Sequence, residues 1–241
     1  MHEYLNMARI ATTKIPGRPD IELPAFYENF ASYYPNCELQ TKEWFVKNAE
    51  PDWVYIDCGA NIGYDSILFS QLSPQGTVHA LEPTSTVAML EKNVSHNQCG
   101  NVTIHRLAVG RATGRRVEKI FRIWGEASEE LEYDFTTLDD FTDRLNLQKL
   151  DCIKIDVDSF DFEVLMGGEK TLKRFDPWLV VELNHALAVR GHSNMAALSW
   201  LSDRGYKRCL VLDHENFVLR RSAPPGAFMT SNSIQVSFPG S

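Results

Sequence analysis

The chain has 241 residues, 44% of them hydrophobic, and a formal net charge of −8. That supplies a sizeable core for one large domain, or one domain with an extension, and the charge argues against a broad nucleic-acid-binding surface. The five cysteines, Cys37, Cys58, Cys99, Cys152 and Cys209, form no C-x-x-C pair, Met1–Pro16 lacks the apolar run of a signal peptide, and no stretch reaches membrane-helix length, so the expectation is a cytoplasmic protein with reduced thiols and no membrane partner.

Met1 to about Asp20 shows little periodicity, and Pro16-Gly17-Arg18-Pro19 reads as a turn. This end is expected to be loosely held or to lie across the surface. Phe26, Tyr27, Phe30, Tyr33 and Tyr34 follow at near-helical spacing and are stopped by Pro35. Glu38–Ala49 predicts a helix with Trp44 and Phe45 inward. Residues 1–50 thus read as a helical, aromatic extension that packs on a sheet, covers a site as a lid, or does both. Residues 51–241 read as one α/β domain.

Val54–Asp57 predicts a buried strand, Gly59-Ala60-Asn61-Ile62-Gly63 a tight turn, and Tyr64–Leu72 a helix. A strand, a glycine turn and a helix N-terminus together cradle a nucleotide cofactor. The chain has no G-x-x-x-x-G-K-[ST] string, and its glycine spacing is wrong for the dinucleotide fingerprint. Asp57, at the strand end, would repel a pyrophosphate but suits the cationic amino group of S-adenosylmethionine (SAM). Thr77–Glu82 predicts the next strand, closed by Glu82, where an acid accepts ribose hydroxyls.

Thr84–His96 predicts a helix, ended before Gly100, and Val102–Leu107 a third strand. The β-α-β-α-β alternation predicts a parallel sheet with right-handed crossovers. Arg115–Trp124 reads as extended, and Glu126–Glu132, with Glu126, Glu129, Glu130 and Glu132, as a solvated loop. Thr137–Leu147 predicts a helix, Asp151–Val157 a fourth strand, and Phe162–Phe175 one or two helices broken at Gly167-Gly168. Trp178–Leu183 predicts a fifth strand, Met195–Asp203 a helix, and Tyr206–Asp213 a sixth strand. Phe217–Arg220 and Ser233–Phe238 are short strand candidates, one of which should close the sheet antiparallel.

On the fourth strand Ile153, Ile155 and Val157 point one way, and Lys154, Asp156 and Asp158 the other. Charges on a central strand are costly unless paired or functional. Lys154 and Asp156 are therefore catalytic candidates, or a structural pair. His185, just past the fifth strand, is the natural general base by its ordinary pKa, or a structural residue. Asp156, Asp158 and Glu182 are alternatively oxygen ligands for Mg²⁺, which would polarise an acceptor hydroxyl.

Val54–Gly63, Leu81-Glu82-Pro83, Arg106–Gly110, Lys154-Ile155-Asp156-Val157 and Val180-Val181-Glu182 together resemble the FkbM family of SAM-dependent methyltransferases. The resemblance implies a Rossmann-like class I methyltransferase fold: a seven-stranded, mostly parallel sheet with helices on both faces, six strands parallel and one antiparallel. It implies methyl transfer to a hydroxyl oxygen of a small molecule, such as a natural product or sugar. It places Asp57, Gly59, Asn61 and Gly63 at the methionine end of SAM, with Asp156 nearby, Glu82 at the ribose and Ala108 at the adenine edge. The family reads Lys-x-Asp-x-Glu-Gly-x-Glu where this chain has Lys154-Ile155-Asp156-Val157-Asp158-Ser159-Phe160-Asp161. Both glutamates are shortened and the glycine is a serine. A nucleic-acid methyltransferase or a non-catalytic SAM-binding protein are the alternatives on the same fold. The acceptor and the oligomeric state are not legible in the sequence.

Overall fold

The computed structural model describes residues 9–122, 128–224, 226, 230 and 233–238. β1 (Ala11–Thr13) and β2 (Ile21–Leu23) form a small antiparallel pair. α1 is Leu39–Asn48, followed by β3 (Val54–Cys58), α2 (Tyr64–Leu72), β4 (Thr77–Leu81), α3 (Val87–His96) and β5 (Val102–His105). β6 (Ala108–Val109), β7 (Gly114–Ile120) and β8 (Glu129–Thr136) make a separate three-stranded sheet. The remainder is α4 (Leu138–Arg144), β9 (Cys152–Ile155), α5 (Asp161–Met166), α6 (Glu169–Phe175), β10 (Trp178–Glu182), α7 (Asn194–Asp203), β11 (Arg208–Leu212), β12 (Asn216–Leu219) and β13 (Ile234–Ser237).

The main sheet has eight strands in the order β5-β4-β3-β9-β10-β12-β11-β13. β5, β4, β3, β9 and β10 are parallel neighbours. β12 is antiparallel to both β10 and β11, so β11 runs with the first five. The expected set of six parallel strands and one antiparallel strand is therefore present, and β13 adds an eighth at the edge, antiparallel to β11. Both short C-terminal candidates are strands.

Alternation along the central strands loads both faces of the sheet. Tyr55, Cys152 and Val180 face a core shared with Trp44, Phe45, Ile67 and Leu90 from α1–α3. Ile56, Ile153 and Val181 face a second core with Phe141, Leu165, Leu172 and Leu201 from α4–α7. A strand buried on both faces is nearly all apolar, so Lys154 in the middle of β9 demands an explanation.

Of the two forms expected for the N-terminal end, the described part lies packed against the domain: Ala11 and Ile15 are buried, and Ile21 and Leu23 after them are fully buried with Ile67 and Leu90. Buried Asn93 on α3 bonds both the amide and the carbonyl of Ala25, at 2.9 and 2.7 Å, which satisfies backbone groups that the arm would otherwise bury unpaired. One expectation is corrected: Glu129–Thr136 is a strand rather than a solvated loop, because its backbone pairs with β7 along its whole length. Residues 1–8, with Ile123, Trp124 and Glu126, lie outside the described residues.

Candidate active site

The C-terminal ends of β3, β4, β9 and β10 open onto two adjoining cavities. A narrow slot of about 40 Å³ is lined by Glu82, Leu107, Ala108, Phe121, Phe135 and Phe160, among others. A larger pocket of about 440 Å³ lies towards the N-terminal arm, with Phe30, Tyr33, Tyr34 and Tyr64 on its aromatic side. Gly59, Asn61, Asp156 and Asp158 belong to the walls of both.

The turn between β3 and α2 is set by protein contacts as much as by any ligand. Gly59 has φ +86, and a Cβ there would come within 1.8 Å of the Asp156 carbonyl oxygen. Gly63 has φ +93, and a Cβ would meet Leu90 of α3 at 2.6 Å. Gly63 lines neither cavity. The close packing of the turn on α3 calls for a glycine there. Asn61, at φ 48, donates its amide to Glu82 Oε2 at 3.0 Å and its side-chain nitrogen to the Arg122 carbonyl at 3.1 Å.

Glu82 is held at the slot by Asn61 and by the Thr84 amide and hydroxyl, at 2.9 and 2.6 Å. Burial raises its pKa, and these hydrogen bonds oppose the rise. Ala108, on β6, is buried and lines the slot beside it. Asp57 is 1% exposed and lines neither cavity. It lies beneath the turn, where Ser66 on α2 donates to its Oδ2 at 2.5 Å. Its Oδ1 is buried without a hydrogen-bond partner among the described residues. Burial pushes its carboxyl above the ordinary range, against the pull of Lys154.

Lys154 is 2% exposed, with Nζ 2.8 Å from Asp156 Oδ2 and 3.1 Å from Asp65 Oδ2. Burial alone would neutralise it. Asp156, Asp65, Glu38 and Asp57 outweigh that and hold it well above the ordinary lysine range. A lysine held protonated in this way cannot accept a proton. The pairing explains the charge on β9: Lys154 is the counter-ion of a carboxylate ring.

Asp158 and Ser159 have φ 45 and 89, a left-handed kink at the point where both cavities meet. Asp161 fixes the kink by accepting the Val157 and Ser159 amides at 2.9 and 3.1 Å. Burial, then Asp156, pushes Asp158 up to about 7. Burial also pushes Asp161 up to about 7.

Two expected roles find no support in position. His185 starts the 3₁₀ turn after β10, is exposed and lines neither cavity. Asn184 caps that turn by accepting the Ala186 amide at 2.8 Å, two residues after β10 ends at Glu182. The Mg²⁺ set of Asp156, Asp158 and Glu182 is also not assembled: among the described residues no group of three or more His, Cys, Asp or Glu is placed to hold a metal ion.

Several wall residues escaped the sequence reading. Glu38, Asp65 and Glu215 line the larger pocket, and Phe121, Phe135 and Phe160 the slot. Asp65 had a local signal, an acid in the first helical turn after the glycine loop. Glu38 and Glu215 had none, since they reach the pocket from elements distant in sequence.

A parallel sheet whose first strand ends in a glycine turn, with an acid closing the second and an antiparallel strand inserted next to the last, defines a class I methyltransferase. The Methyltransferase FkbM domain model matches residues 57–208, and the chain belongs to that family. Membership implies SAM as methyl donor. No curated protein matches the sequence. Among solved structures, the methyltransferase FkbM from Methylobacillus flagellatus KT is 16% identical with a TM-score of 0.56, over 79% of this chain and 51% of that one. The chain thus spans about half the length of that protein. A precorrin-6y C5,15-methyltransferase from Geobacter metallireducens GS-15 is 18% identical with a TM-score of 0.44, over 74% of this chain and 83% of that one. An rRNA methylase from Streptococcus thermophilus is 10% identical with a TM-score of 0.46, over 74% and 91%. At 16% identity the likeness to the first of these is one of fold alone. No helix among the described residues is long and apolar enough to cross a membrane.

Proposed function

We propose that the chain transfers a methyl group from SAM to a hydroxyl oxygen of a small molecule, with Asp158 as general base. The observation that carries this reading is the place of Asp158 in the walls of both cavities, between the slot and the pocket.

The chemistry of the lining residues suits the donor. The slot is apolar and aromatic along its walls, with the Glu82 carboxylate available to ribose hydroxyls and Ala108 at the base edge. Asp57 keeps one buried carboxylate oxygen without a partner beneath the turn. The Gly59–Asn61 backbone lines the side that would take the methionine part. SAM supplies an electrophilic methyl that needs little activation. The chain's part is to hold the acceptor in line, exclude water and remove one proton.

Asp158 suits that last task, because a base titrating near neutral pH combines availability with driving force. Lys154 holds the Asp156 carboxylate in place from beneath, at 2.8 Å, and acts as a positioning residue. The pocket, at about 440 Å³, is of small-molecule size. Its acidic lining opposes a nucleic-acid phosphate, which disfavours the RNA reading.

Asp158→Asn should lower kcat by about 10²–10⁴-fold while leaving SAM affinity, measured by calorimetry, within about twofold. An unchanged kcat with any accepted substrate would sink the assignment.

A further inference from the structure

The charge of the larger pocket exceeds what the methyl donor alone would match. Glu38, Asp65, Asp156, Asp158, Glu182 and Glu215 line it, against Lys154 as the single lysine or arginine among the described lining residues. Lys154 is already engaged by Asp65 and Asp156. Lys42 lies behind the aromatic wall, its Nζ 2.7 Å from the Tyr34 carbonyl and 4.5 Å from the centre of the Tyr64 ring. With Asp158 assigned to proton transfer, Glu38, Glu182 and Glu215 remain. The sulfonium and ammonium groups of SAM are offset in part by its own carboxylate, so they leave most of this charge unmatched.

These three acids come from three elements that the fold locks together. Glu38 precedes α1 at φ 46, Glu182 ends β10, and Glu215 lies in the turn between β11 and β12. Asp213, in that same turn, caps α1 by accepting the Gln40 and Thr41 amides at 3.1 and 2.8 Å and the Thr41 hydroxyl at 2.9 Å. The Glu215 carbonyl accepts the Leu183 amide at 2.9 Å, which fixes the turn against the end of β10. Burial, then Asp156, drives Glu182 upward, and burial raises Glu38. In the absence of a cation Glu38 and Glu182 therefore tend to hold protons, and a bound cation would replace them. Phe30, Tyr33 and Tyr34 line the same pocket. Carboxylates and aromatic rings in one pocket recognise an ammonium group by charge and by the ring quadrupole together.

We propose that the methyl acceptor carries a protonated amine besides its hydroxyl, and that the Glu38–Glu182–Glu215 wall and the aromatic residues of the same pocket bind this amine. The inference rests on the methyltransferase reading above. The neutral and anionic forms of the same scaffold lack the group that this wall recognises, so selectivity follows from charge.

The test uses the full chain loaded with S-adenosylhomocysteine, whose affinity is first measured by calorimetry. Binding of tyramine, 4-ethylphenol and 4-hydroxyphenylacetate is then compared by protein-observed NMR, three phenols that differ in a positive, neutral or negative side chain. D-Glucosamine, D-glucose and D-glucuronate repeat the comparison on a sugar. The expected result is that at least one cationic probe binds ten times more tightly than its neutral partner, with the anion weakest. A Glu182→Gln/Glu215→Gln double variant should bring the cation-to-neutral ratio near one while its S-adenosylhomocysteine affinity stays within twofold. Equal binding of cation and neutral, preference for the anion, or no binding by any probe overturns the proposal. Failure of S-adenosylhomocysteine itself to bind would overturn the donor reading instead.

Discussion

The kink at Asp158 and Ser159 shows how one residue's backbone aims another's side chain. Asp tolerates the left-handed region better than most residues, whereas Ser at φ 89 is strained there. Glycine, which the family carries at the position of Ser159, adopts that conformation freely. Ser159 is 2% exposed, so solvent does not relieve the strain. Relief of strain should outweigh the extra freedom glycine gives the unfolded chain. Ser159→Gly should therefore stabilise the protein by about 1 kcal/mol, seen as a rise in Tm of about 2–4 °C. A lower Tm would mean that the serine side chain makes a contact worth more than the strain. The departure from the family pattern was readable in the sequence, but its consequence was not, because a φ angle depends on how Asp161 holds the turn. The place of His185 has a related reason: the residue type is legible in a sequence, while its exposure depends on where the chain turns after β10.

At the scale of elements, the β7–β8 hairpin closes the slot. Its Phe135 packs against Phe160 with ring centres 5.6 Å apart, and both rings line the slot. Two arginines back these rings. Arg116 stacks on Phe135 at 3.5 Å and Arg190 on Phe160 at 3.7 Å. Glu118 joins them, 3.3 Å from each, and Glu163 on α5 fixes Arg190 at 2.6 Å. The network ties the hairpin to the main domain without entering the slot. Arg190→Ala removes a stacking cation and leaves Glu118 and Glu163 without it. It should weaken S-adenosylhomocysteine binding about five- to tenfold, roughly 1–1.4 kcal/mol. Arg190→Lys should recover little, because lysine lacks the planar fork that stacks and pairs at once. Calorimetry on both variants checks this, and full recovery by lysine would show that charge alone matters. Strands β3, β4, β9 and β10 were legible because apolar runs bounded by turn residues mark buried strands. The β7 half of the hairpin reads as extended in the sequence, but the β8 half reads as a loop because it carries charges such as Glu130 and Glu132, which in a sequence resemble a solvated loop. Its pairing with β7 supplies the order that composition concealed.

Across the whole molecule, the same buried acids couple stability and activity to pH with opposite signs. Glu38, Asp57, Asp158, Asp161 and Glu182 all titrate above their ordinary range, chiefly through burial. Asp158 and Asp161 stand at about 7, against about 4 for an unfolded aspartate. Between those values the folded chain holds protons that the unfolded chain has released. Stability is then fully present below about pH 4 for these groups and is lost as pH rises through about 7. The lowered His79 and His105, depressed by burial, act in the opposite sense below about pH 6.5, and so does the lowered Asp52, whose effect is small because it is fully exposed. Thermal unfolding should therefore show a Tm several degrees higher at pH 5.5 than at pH 8. Catalysis should run the other way, since Asp158 accepts a proton only when ionised: kcat/KM should climb tenfold per pH unit below about 7 and level off above it. Asp158→Asn should flatten that acidic limb while leaving the Asp161 share of the stability slope in place. If activity and stability instead rose together with pH, burial would not be the force that sets these groups.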